Sequence, residues 1–410
     1  MNITAGAPAA PAAVSVPFLM TMMLVSIFAA SIYLPSLPRI ASEFAASPAA
    51  AQASLTAFVV TFGLMQLWHG PASDRLGRWR VLRLSLVVFL IGTAACALAP
   101  TLEILIAGRV FQGLGAAGIA VLPRAIAQDA YGSTPRGTQV FVYLSMAAAL
   151  SAAIAPLLGG WLDSVTDSWQ ASFVLLGVLG VGVLAMAARG AGQLAGASMD
   201  RPAGLRGVAR DWLTLMGHRN FAFSVMGGGA MRAGFFGVLT ALPFLLTEAF
   251  GIGGSAAPVL IGALMAALTL SFLAANIVVS RLIKRFSPQA LSVWGAVISL
   301  LAPAAMAIAA QADADVVFGL AVPLALFGFG QGFCVPMSNI LAVRTDPQMA
   351  GTAASLLGFW THMLGAAGTL AASALSYRDT LPLAGLIGIA VLVALACFLG
   401  LLPKRRAAAT

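Results

Sequence analysis

Charge is what this sequence has least of. Only 9% of its 410 residues are Asp, Glu, Lys or Arg, where a soluble domain carries roughly 25%. With 60% hydrophobic residues and a mean hydropathy of +0.97, that shortage excludes a water-soluble globular chain. Acids are the scarcer sign, 13 against 22 bases. Cysteine is nearly missing. Cys96, Cys334 and Cys397 each sit in an apolar run, at no metal or redox spacing, and read as small buried hydrophobes. No metal site or other cofactor is expected. The opening "MNITAGAPAAPAAVSV" has no Lys or Arg, so the basic region of a cleaved signal is missing. Residues 1–15 read as a disordered Ala/Pro-rich arm before a retained first span. There is no phosphate-binding loop and no nuclease-type acid cluster, so nucleotides and nucleic acids are not expected partners.

Long apolar runs fill the rest. A helix needs about 20 apolar residues to cross the hydrocarbon core. On that criterion the spans are 16–38, 51–72, 81–100, 104–127, 138–161, 169–189, 219–247, 257–281, 290–311, 314–340, 351–375 and 380–403. The expected class is an all-α polytopic membrane protein with twelve transmembrane helices in two six-helix bundles, 16–190 and 219–403. A linker, 191–218, joins them, and a tail, 404–410, follows. Within the linker, "VARDWLTLMGHRN" reads as a short amphipathic piece.

Basic residues set the orientation. Counting Arg and Lys by joint, the joints on the side of the linker and termini hold seventeen of the 22, while the opposite joints hold only Arg39 and Arg378. Both termini and the linker are therefore expected in the cytoplasm, and the +9 charge needs no nucleic acid. The remaining three, Arg109, Arg124 and Arg232, lie inside spans.

The joint after the second span reads "GPASDRLGRWRVL". Its Gly–Asp–Arg–Gly–Arg spacing resembles the signature of the major facilitator superfamily. "RVFQGLGAAG" in span four and "APLLGGW" in span five resemble further motifs of that superfamily, the second its antiporter motif. "YLPSLP", "PRAIAQDAYG", "PFLLTEAFGIG" and "AGTAASLLGF" resemble the Bcr/CflA branch of drug and metabolite exporters. The resemblance covers nearly the whole chain. It implies a proton-driven antiporter whose halves rock about a central cavity, with the proton gradient as energy source. Two departures stand out. Ser31 occupies a position where the branch usually has aspartate, and Ala155 stands where the antiporter motif has glycine.

By this resemblance Gly70, Asp74, Arg75, Gly77 and Arg78 form a cytoplasmic gate, with Asp129 as neighbour. Arg124 is read as part of that gate or as a side chain reaching the surface. Pro156, Gly159 and Gly160 are read as a helix-bending motif. Arg109, with Gln112, has two readings, coupling of proton movement to the gate or a structural donor to carbonyls of span one. His362 is the one titratable side chain near mid-membrane with an ordinary pKa of about 6.5. It is either a coupling residue or a packed neutral ring.

Arg232, in "GGGAMRAGFFG", is eleven residues after Phe221 and fourteen before Leu246. Neither snorkelling direction is short, so it must face the bundle interior or water. Glu248 lies about 24 Å away along the same helix, at 1.5 Å per residue. No acid falls at mid-membrane on these spans. A cation carrier normally needs a deep carboxylate. A neutral-polar or anionic cargo is therefore expected, bound by Arg232 with Ser31, Tyr33, Phe235, Phe236, Gln331, Asn339 and Trp360 around it. The expected function is export of a small drug-like compound or secreted metabolite, for example a siderophore, across a bacterial inner membrane by a monomer. The alternative is uptake of a similar molecule.

Overall fold

The computed structural model describes residues 14–132, 134, 136–189, 205–312, 315–346 and 349–402. Most of the expected arm, much of the linker and all of the tail lie outside these residues. Val14 and Ser15 do not. Val14 is buried and its carbonyl accepts the Tyr131 hydroxyl, and Ser15 is the residue from which the first helix starts.

Every regular element among the described residues is helical. Helix satisfies backbone polar groups within one segment, which a bilayer requires. The first span is not one helix. α1 (Val16–Ser31) stops short of Pro35, a 3₁₀ turn covers Leu34–Ser36, and α2 (Leu37–Glu43) follows. Pro35 and Pro38 cannot donate to the preceding turn, which is the physical reason for the break. α3 (Pro48–Leu76) starts on Ser47, whose side chain accepts from the Ala50 amide. α4 (Arg78–Ala97), α5 (Leu102–Tyr131), α6 (Gly137–Thr166) and α7 (Gln170–Arg189) complete the first half.

α8 (Leu205–Gly217) is the amphipathic linker piece. The second half has α9 (Arg219–Glu248), α10 (Ala256–Leu282) and α11 (Pro288–Gln311). A π-helical turn, Val317–Ala321, leads into α12 (Val322–Val343), and α13 (Ala350–Ser373) and α14 (Leu381–Gly400) end the half. Among the described residues, eleven helical segments are long and apolar enough to cross a membrane. α13 is long enough but less apolar, since it carries Thr361, His362 and Thr369.

Some helices run several residues past the expected spans. α6 reaches Thr166 rather than 161, so Asp163 lies on the helix, and it is fully buried.

Packing repeats with an offset of six spans. α4 on α5, α3 on α5, α4 on α7 and α1 on α6 are matched by α11 on α12, α10 on α12, α11 on α14 and α9 on α13. Two such bundles meet through α6 against α10 and α3 against α13. Outward faces expose large apolar side chains such as Leu98, Ile308 and Ile389, the surface a bilayer covers. α8 lies against the second half alone. Its Leu215, Trp212 and Met216 pack on Phe221, Val225, Leu356 and Leu357.

Candidate functional site

The interface between the halves is sealed toward one end. There Gln52 donates to the Thr240 carbonyl at 3.0 Å and to the Tyr377 hydroxyl at 2.8 Å. Tyr377 donates in turn to the Ala372 carbonyl at 2.6 Å. Burial pushes this phenol above its ordinary range, so it stays a donor. The Thr56 and Thr369 hydroxyls meet at 2.6 Å.

α6 and α10 close the other side of the seal with main-chain atoms. A Cβ on Gly160 would overlap the Pro258 carbonyl, and one on Gly262 would overlap the Pro156 carbonyl. Only glycine permits this approach. α6 continues through Pro156 to Thr166. Pro156, Gly159 and Gly160 thus act as a close-contact surface against α10 and the Ile32 carbonyl, not as a break in the helix.

The contacts stop part-way down. The last pair is Gln66 of α3 against Gly358 of α13, beside Phe62, Gly63 and His362. Beyond it, toward the end that carries α8, no pair of helices from opposite halves packs as closely as α3 with α13 or α6 with α10, and we read that end as the open one.

At the inner edge of the seal stands His362. Its Nδ1 lies 2.8 Å from the Gly358 carbonyl, so Nδ1 carries the proton and donates. In the neutral ring Nε2 is left as an acceptor. The ring lies 4.8 Å from that of Phe62 and 6.4 Å from that of Phe236.

Arg232 is next to this group. It is half-buried, its guanidinium lies 5.8 Å from the Phe235 ring, and it has no hydrogen bond or ion pair among the described residues. Phe235 is half-buried and Phe236 buried. Gln331 is buried and spends its amide on the Met231 carbonyl at 3.0 Å, one residue before Arg232. These residues come together as the sequence implied.

Four expected cavity residues do not. Tyr33 is fully buried, bonded to Ser54 at 2.9 Å and stacked on Arg109. Ser31 is buried, and its hydroxyl turns back to the Ile27 carbonyl at 3.5 Å. Trp360 packs against the α8 cluster, edge-on to Phe359 with ring centroids 5.3 Å apart. Asn339 is exposed near the open end of α12. The reason is helical phase in Trp360, which points two residues off the His362 face, and the break after α1 in Ser31 and Tyr33.

Arg109 has no solvent exposure. It donates to the Ala29 carbonyl of α1 at 2.7 Å and to Gln112, which itself donates to Thr93 at 2.9 Å. Its guanidinium is held between the rings of Tyr33, at 4.4 Å, and Phe58, at 4.2 Å. Nε and Nη2 have no partner. The structural reading, a donor to span one, is realised in this geometry.

At the open end Arg78 bonds Asp74 and reaches Asp129 at 2.9 Å, and its Nη1 donates to Ser73 at 2.5 Å. Gly77 turns the chain from α3 to α4 with φ +91°, a left-handed value that favours glycine. Arg75 and Arg124 are exposed, and a Cβ on Gly70 would meet nothing. The side chains of Asp74 and Asp129 are 51% and 41% exposed. Asp129→Asn is therefore expected to cost under about 1 kcal/mol of stability, and less in high salt. Thermal unfolding of purified protein at two salt concentrations checks this.

Sequence reasoning missed Gln52, Gln66, Phe62 and Tyr377. Gln52 and Gln66 carried a usable signal, since an uncharged amide inside a span still needs a partner.

Comparison with known proteins agrees with this architecture. A family model described as the Major Facilitator Superfamily matches residues 19–369. The chain belongs to that superfamily. It is a membrane transporter and not an enzyme. It is 30% identical over 346 residues to multidrug resistance protein D of Escherichia coli (strain K12), covering 83% of this chain and 84% of that one. It is 31% identical over 146 residues to a chloramphenicol resistance protein of Pseudomonas aeruginosa, covering 36% and 35% of the two chains. Among solved structures, a POT family transporter in complex with 5-aminolevulinic acid superposes with TM-score 0.77 at 13% identity, over 94% of each chain.

Proposed function

We propose that this transporter exports a neutral-polar or acidic, oxygen-rich small molecule across a bacterial inner membrane by proton antiport. The observation that carries the cargo class is Arg232. A half-buried guanidinium with no hydrogen bond or ion pair among the described residues stands at the inner edge of the seal, beside an imidazole acceptor and two aromatic rings. A transporter of lipophilic cations would need an acid there, and none of the site's contacts involves one. With the basic linker end in the cytoplasm, the described state is open inward and ready to load. The names of the relatives, which refer to multidrug and chloramphenicol resistance, support export over uptake. A siderophore fits the same chemistry.

The test uses three labelled probes in efflux-deficient cells: neutral chloramphenicol, anionic nalidixate and cationic tetraphenylphosphonium. Expressing cells are expected to hold less of the first two and an unchanged amount of the third. An uncoupler should erase the difference. Arg232→Gln should abolish nalidixate export while the protein stays in the membrane. Export of tetraphenylphosphonium, undiminished in Arg232→Gln, would sink the cargo assignment, and a rise in probe content on expression would favour uptake.

A further inference from the structure

The two halves repeat in helix packing but not in how their joints at the α8 end are closed. In the first half Arg78, at the start of α4, bonds Asp74 and reaches Asp129 near the end of α5. An ion cluster within the chain closes that joint. The corresponding place in the second half lies between the start of α11 and the end of α12, a helix pair that packs as α4 packs on α5. No ion pair closes it among the described residues. A cavity of about 370 Å³ stands there instead, and its lining includes Asn220, Gln289, Leu341, Arg344, Thr345 and Leu401. Sites for small molecules run from about 300 to 1,000 Å³.

The charge of this cavity has one sign. Arg344 brings a guanidinium with no hydrogen bond or ion pair among the described residues, and Asn220 and Gln289 bring two amides in the same condition. The Thr345 hydroxyl donates to the Leu341 carbonyl at 3.0 Å. No acid is in the lining. Asp346, two residues past Arg344, has a contact of its own and stands outside the lining. Arg281, Lys284 and Arg285, all exposed, lead the chain into α11 and add three cations. A guanidinium with amide donors and no acid suits an anion of several acceptor oxygens, which a phosphate provides. The rim shows what else is near. Phe286, just before α11, and Trp294, in its second turn, are 40% and 41% exposed, with ring centroids 4.7 Å apart. Exposed aromatic side chains at the end of a span sit at headgroup level in a bilayer. Leu341 and Leu401 give the cavity an apolar wall.

We propose that this cavity binds the phosphate of an anionic phospholipid in the leaflet at the α8 end. Basic pockets between spans on the cytoplasmic side recognise anionic headgroups in this way. The lipid supplies from the bilayer the negative charge that Asp74 and Asp129 supply from the chain in the first half. Its phosphate meets Arg344, Asn220 and Gln289, and its glycerol end lies toward Leu341 and Leu401. The site belongs to the second half alone and depends neither on the cargo nor on the direction of transport.

The test counts bound lipid by native mass spectrometry on the full chain, delipidated in detergent and titrated with phosphatidylglycerol or phosphatidylcholine. The parent should hold one phosphatidylglycerol about fivefold or more tighter than phosphatidylcholine, the worth of one basic residue at an anionic surface. Arg344→Gln should erase that preference and leave phosphatidylcholine binding as it was. Asn220→Asp, which puts an acid into the cavity, should do the same by a separate route. Arg285→Gln removes an exposed cation outside the lining and should keep the preference. Excess inorganic phosphate should leave the bound lipid in place. Equal binding of the two lipids by the parent overturns the proposal. So does an Arg344→Gln that keeps the preference, or an Arg285→Gln that loses it as fully, which would mean surface charge without a site. Displacement of the lipid by inorganic phosphate overturns the lipid assignment in favour of a soluble anion.

Discussion

Gly160→Val should open the sealed end. The valine side chain would run into the Pro258 carbonyl, which belongs to the α10 backbone and has no rotamer to yield. Overpacking of this kind costs about 1–3 kcal/mol. Here the cost falls on the state in which the halves touch, since each half keeps its own packing. The equilibrium between sealed and unsealed should move by roughly 5- to 150-fold. Thr369→Cys is the reporter, because Thr369 is buried and meets Thr56 across the seal. Its labelling by a membrane-impermeant maleimide from the sealed side should accelerate by that factor. Gly262→Val should reproduce the effect from the opposite helix. Gly70→Ala should not, since a Cβ there meets nothing. Unchanged labelling in Gly160→Val would mean that the α6–α10 contact does not hold the seal.

Arg109→Lys should destabilise the first half despite keeping a cation. The planar guanidinium fills the gap between the Tyr33 and Phe58 rings and donates to the Ala29 carbonyl and Gln112 at once. Each desolvated ring contact contributes about 2 kcal/mol. An ammonium is compact, strongly hydrated and unable to stack, so it recovers only part of this. A loss of about 2–4 kcal/mol is expected. It would be read as a lower melting temperature in nanodiscs. Tyr33→Phe keeps the ring and loses only the Ser54 bond, so it should cost about 1 kcal/mol. Equal melting of Arg109→Lys and the parent would show that the rings contribute nothing.

How much of this was legible beforehand differs by residue. The two six-span halves and the amphipathic linker follow from apolar run lengths and the basic joints, because the bilayer sets helix length and insertion sorts charge. Arg232 was legible for the same reason: a cation far from both ends of a span has to face the interior. Trp360 was not. It is two residues from His362, and at 100° per residue that turns it to another face, where α8 covers it. The burial of Asp163 was not legible because apolarity fades before a helix ends. The span estimate stopped at 161 while hydrogen bonding ran on to Thr166, carrying the acid inside. Gly159 and Gly160 announced a special backbone need, but sequence could not say whether that need was flexibility or proximity.

The depth of the seal has an electrical consequence. In the proposed inward-open state, water reaching the inner edge of the seal would hold it at the potential of the open side. The transmembrane voltage must then fall across the sealed layer, between the levels of Gln52 and Gln66. Fourteen residues of α3 separate them, about 21 Å at 1.5 Å per residue. Arg232 stands on the cavity side, so its charge is at the potential of the open end in this state and meets the opposite potential once the other end opens. Each elementary charge carried through that field is worth about 2.3 kcal/mol per 100 mV. On the proposed alternating-access reading, the balance between the two states would therefore depend on membrane voltage even when the cargo is neutral.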